Sequence, residues 1–143
     1  MSVWIDPVSN HITREGDKGE PYFLRDKDLS RLNGLVGDEG MVARIDVAEV
    51  STSASIVATM KAALPFPEWC GSGWDSVYDA IPDLIELWNF PIVLVVDGID
   101  ALWTRSPQLL MQTSIRLAEL SDILGREKKQ VLIVYRSDSD HDQ

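Results

Sequence analysis

Two short runs, Ile-Val-Leu-Val-Val at 92–96 and Val-Leu-Ile-Val-Tyr at 131–135, constrain the fold of this chain more than any other feature. A strand that is apolar on both faces of its pleat must be covered on both, as in a parallel sheet flanked by helices. Parallel strands need a long crossover, and residues 97–130 can supply one. Within it Ser106 and Pro107 form an N-cap and first-turn pair, and Leu110, Leu117, Leu120 and Leu124 follow to Gly125, the expected C′ residue. The turn-like Asp97-Gly98-Ile99-Asp100 stands ahead of that helix.

Upstream, residues 41–50 alternate and are rich in β-branched side chains (Val42, Ile45, Val47, Val50), which predicts a strand. Ser51, Thr52 and Ser53 offer caps for a helix carrying Ile56, Val57, Met60 and Leu64, stopped by Pro65 and Pro67. Trp74, Val77, Tyr78 and Ile81 then recur at the spacing of a helix with one buried stripe, and Pro82 either ends it or opens a second short helix. The expected class is α/β: a small domain with a three-stranded parallel sheet packed by helices, joined by right-handed crossovers. Residues 41–137 would form that domain. Residues 1–40, punctuated by glycines, read as an N-terminal extension carrying a hairpin, and 138–143 as an acidic tail.

The lone Cys70 excludes an internal disulfide framework and a multi-cysteine metal site, and no cofactor or metal is expected. His11 and His141 lie near the ends, and neither a nucleophile elbow nor a lysine-bearing phosphate loop occurs, so the chain is not expected to be an enzyme. Asp97-Gly98-Ile99-Asp100 and the acidic tail lack EF-hand spacing. Without a membrane-length apolar stretch or a basic leader, a cytoplasmic protein is expected.

The formal charge of −10 disfavours direct binding to nucleic acid or to an anionic membrane, and its distribution says more than its size. Residues 64–90 hold Glu68, Asp75, Asp79, Asp83 and Glu86 with no lysine or arginine, and the tail adds Asp138, Asp140 and Asp142. Asp75 and Asp79, four residues apart, share the exposed face of the Trp74 helix if Trp74, Val77, Tyr78 and Ile81 face inward. Such a pair costs an isolated helix roughly 0.2–0.5 kcal/mol. Just ahead, Trp69-Cys70-Gly71-Ser72-Gly73 sets an aromatic residue among small ones whose backbone amides are accessible, a plausible contact surface.

Residues 66–81, FPEWCGSGWDSVYDAI, resemble the barstar family of intracellular ribonuclease inhibitors, whose signature reads Pro-Glu-Tyr-Tyr-Gly-x-Asn-x-Asp-x-x-Trp-Asp. Pro67, Glu68, Gly71, Asp75 and Asp79 match by identity, Trp69 and Tyr78 as aromatics, without a gap. The resemblance extends more weakly over about 41–137. It implies an immunity protein that plugs the active site of a cognate ribonuclease or nuclease toxin as a monomer in a one-to-one complex. The matched aspartates would face the basic groups that hold RNA phosphates. With Asp83, which extends the acidic face, the expected partner-contacting set is Trp69, Cys70, Gly71, Gly73, Asp75, Tyr78, Asp79 and Asp83, with Tyr78 either core or interface. Cys70 and Gly73 replace the family's second tyrosine and its asparagine, and Tyr78 its tryptophan. No acid matches a further family acid near Gln108 or Gln112, and Asp83 or Glu86 is the candidate replacement. An acidic adaptor or nucleic-acid mimic for a basic non-nuclease partner would use the same face. A thioredoxin-like reading of Trp69-Cys70-Gly71 fails because Gly73 stands where the second cysteine belongs.

Overall fold

The computed structural model describes residues 22–23 and 36–136. The chain runs β1 (Tyr22–Phe23), β2 (Met41–Asp46), α1 (Ser53–Ala63), α2 (Trp74–Asp79), α3 (Ile81–Leu87), β3 (Ile92–Asp97), α4 (Ile99–Arg105), α5 (Pro107–Arg126) and β4 (Val131–Arg136). The expected three parallel strands are β2, β3 and β4, and the two-residue β1 adds a fourth at the edge, giving the order β1-β4-β3-β2. All pairings are parallel. Five of six residues are buried in β3 and in β4, whereas edge strand β2 alternates from Ala43 onward. This is the difference between a strand covered on both faces and one half exposed. Tyr22–Phe23 pairs with β4, across most of the chain; the expected hairpin and the acidic tail lie outside the described residues.

Thr52 caps α1, its side chain accepting from the Ser55 amide, and Ser106 caps α5 through the Leu109 amide. Of the two roles open to Pro82, the structure takes the second: it sits in the first turn of α3.

Three local expectations are corrected. Strand β2 ends at Asp46, not near Val50, because the Asp46 carboxylate accepts from the Ala48 amide at 2.9 Å and turns the chain, leaving Val47 and Val50 as core residues in a loop. Gly125 lies inside the last turn of α5, and the left-handed residue that follows the helix is Lys128 at φ +61°. Residues 99–105, expected to begin in a turn, form α4, whose single buried residue, Leu102, is too little for periodicity to show. The turn before it does require glycine: Gly98 has φ +82°, and a Cβ there would come within 2.7 Å of Asp46 Oδ1.

Candidate functional site

Prolines 65 and 67 forbid continuation of α1, so residues 65–73 form a loop ahead of α2, and side-chain hydrogen bonds from Lys61, Trp69 and Trp88 hold it. The Trp88 indole donates to the Pro65 carbonyl at 2.6 Å, and Phe66 meets the Trp88 ring edge-on at 5.6 Å. Lys61 of α1 donates to the Cys70 carbonyl at 2.5 Å. At the tip, Trp69 is 57% exposed, and its indole N–H donates to Asp83 Oδ2 of α3 at 3.3 Å. A loop tied at both ends and at its aromatic tip needs little ordering before it meets a partner.

The helix α2 follows from Gly73, its N-cap, which makes no side-chain cap bond. Trp74 and Val77 are buried and Asp75 and Asp79 exposed, so the two carboxylates point away from the core on one face. Asp79 has no ion pair or hydrogen bond to its side chain among the described residues.

The remaining residues of the expected set divide. Cys70 is buried to 4% exposure and packs in the core, so its thiol is withdrawn from any contact surface and only its backbone lies near it; a buried small residue here replaces an aromatic. Gly71 and Gly73 are exposed, and Gly71 is held close to α2, since a Cβ there would lie 2.9 Å from Ser76 Oγ. Asp83, expected as a further acid, already binds Trp69 through one oxygen. Glu86, one turn further along α3, is exposed. Tyr78 is half-buried against α5: its hydroxyl is 2.8 Å from Glu119 Oε1 and 3.3 Å from the Arg116 carbonyl. Burial, reinforced by the Glu119 contact, pushes its pKa up to about 12, so it remains a donor at neutral pH.

The structure thereby adds two residues that local patterns do not mark, Arg116 and Glu119, which α5 places beside α2 although they are 38 and 41 positions from Tyr78. Arg116 Nη1 lies 3.5 Å from Glu119 Oε1, and its guanidinium lies over the Tyr78 ring at 5.8 Å. The Tyr78 phenol first, then Glu119 and Asp75, raise the Arg116 pKa. Among the described residues no group of three or more His, Cys, Asp or Glu side chains can hold a metal ion. No helix among them is long and apolar enough to cross a membrane.

Fold and site together define a small parallel α/β domain that presents an acidic helix beside an anchored, exposed tryptophan. The barstar family model, described as the barnase inhibitor, matches residues 40–136, and the chain belongs to that family. No curated protein sequence matches the chain.

Proposed function

We propose that this chain is a cytoplasmic immunity protein that occludes the active site of a barnase-like ribonuclease, in a one-to-one complex, with the loop 65–73 and α2. One observation carries the reading: Asp75 and Asp79 stand exposed on one face of α2, beside exposed Trp69, in a stretch from 64 to 90 without a lysine or arginine. A ribonuclease cleft must present cationic side chains to a phosphodiester. Two fixed carboxylates can take the substrate's place there, accepting charge-assisted hydrogen bonds, bidentate ones where the cation is arginine. Family membership supports a ribonuclease as the partner. The excess negative charge would speed encounter with a basic enzyme. Trp69, Gly71 and Gly73 shape the contact surface, and Asp83 acts chiefly by orienting Trp69.

The test is a titration of the purified chain into barnase hydrolysing RNA. Activity is expected to fall linearly to near zero at one equivalent. Undiminished hydrolysis at a large molar excess of the chain overturns the reading.

A further inference from the structure

Although residues 64–90 contain no cation, the face they build has one, because α5 brings Arg116 to it. That guanidinium lies over the Tyr78 ring of α2 and beside Glu119 of α5, and the Asp75 carboxylate of α2 acts on it electrostatically. The ionic contact among these is loose. The ion pair to Glu119 spans 3.5 Å, well beyond a charge-assisted hydrogen bond, and the Arg116 side chain is 44% exposed. Exposed pairs of this kind contribute little and exchange readily with other cations. Arg126, on the same helix, differs: it lies 2.5 Å from Asp122, one turn away, and ten residues or roughly 15 Å along the axis from Arg116.

On the reading of α2 as the ribonuclease-binding face, we infer that Arg116 is a displaceable counter-cation. In the free protein it stands over Tyr78 and beside Glu119, within the field of Asp75, where a cation of the docked ribonuclease stands in the complex. It relieves repulsion within the acidic face before binding and competes with the partner during it. Affinity is therefore held below what the carboxylates alone would give.

Association and dissociation are measured on immobilised barnase for the parent chain, Arg116→Ala, Arg116→Gln, Arg126→Ala and Asp79→Ala. Glutamine preserves most of the packing on Tyr78 while removing the charge, so agreement between the two Arg116 variants separates charge from packing. Both are expected to bind about two- to fivefold tighter than the parent. Arg126→Ala removes the same net charge from a place more than a Debye length away and is expected to change affinity less than about twofold. Equal or weaker binding by the Arg116 variants overturns the inference, as does an equal gain in Arg126→Ala, which would make net charge the cause. If the parent binds and Asp79→Ala weakens it, either result removes only the role of Arg116. If the parent does not bind barnase, the ribonuclease reading fails and the inference with it.

Discussion

Asp97 and Asp79 are the same residue put to opposite uses. Asp97 ends β3, and its carboxylate lies between two arginines from the flanking strands: Arg44 Nε and Nη2 at 3.0 and 2.9 Å from Oδ2, and Arg136 Nε at 3.0 Å from Oδ1. Its side chain is 16% exposed, and the three residues tie the carboxyl ends of β2, β3 and β4 together. Asp79 ends α2 in solvent, with no such partner among the described residues. A carboxylate withdrawn from water needs opposite charge within the fold, and the two arginines supply it even though Oδ1 accepts no hydrogen bond among the described residues. One left in water carries no such requirement and keeps its hydrogen-bonding capacity for another molecule. The chain thus contains acids that serve its own folding and acids that do not, and substitution should separate them.

The largest expected effect is on binding. Asp79→Ala is expected to weaken barnase binding about thirtyfold or more, the scale of a central interface residue, while leaving the thermal midpoint within about a degree of the parent. Calorimetric titration and a melting curve check both halves, and equal affinity would break the contrast at its functional end. Next, Asp97→Ala is expected to lower unfolding free energy by about 2 kcal/mol in urea denaturation. That is less than for a fully buried pair, because Arg44 is half exposed. Its folded fraction should bind barnase as the parent does, and impaired binding by folded Asp97→Ala would erase the distinction.

The smallest effect concerns the intermediate case, Glu119, which is exposed yet engaged by Tyr78. The folded Tyr78 pKa lies above the ordinary value of 10, so this group contributes stability that is fully present below pH 10 and is lost as pH rises through about 12. Allowing for the partial exposure of the phenol, that contribution is about 1 kcal/mol. Tyr78→Phe should flatten the alkaline fall in the urea midpoint by that amount. Tyr135, whose pKa burial also raises, keeps its part of the fall in the variant. An unchanged alkaline limb would show that folding does not raise the Tyr78 pKa.

Much of the architecture was legible because it rests on local rules. The apolar runs at 92–96 and 131–135, the caps at Thr52 and Ser106 and the prolines at 65, 82 and 107 each act within a few residues. The failures were also local in cause. A seven-residue helix with one buried leucine has no measurable period, and Lys128 took the left-handed position that glycine was expected to fill. At the candidate site, the exposed face of Asp75 and Asp79 followed from helical spacing, and Trp69 could be named as an exposed aromatic. Nothing near Cys70 marked it as a core residue, and nothing near Asp83 tied it to an indole fourteen positions away.

The order of apolar and polar residues was enough to specify a parallel α/β domain and to concentrate its negative charge between residues 64 and 90. Period and steric propensity operate over one or two turns of chain. Which carboxylates are occupied was decided by packing: Asp97 by arginines 53 residues before it and 39 after, Glu119 by Tyr78, Asp83 by Trp69, and Asp79 by none among the described residues. Ion pairs and hydrogen bonds act over a few ångströms of space whatever the separation along the chain, so the difference between a structural acid and an available one exists only once the helices have docked on the sheet.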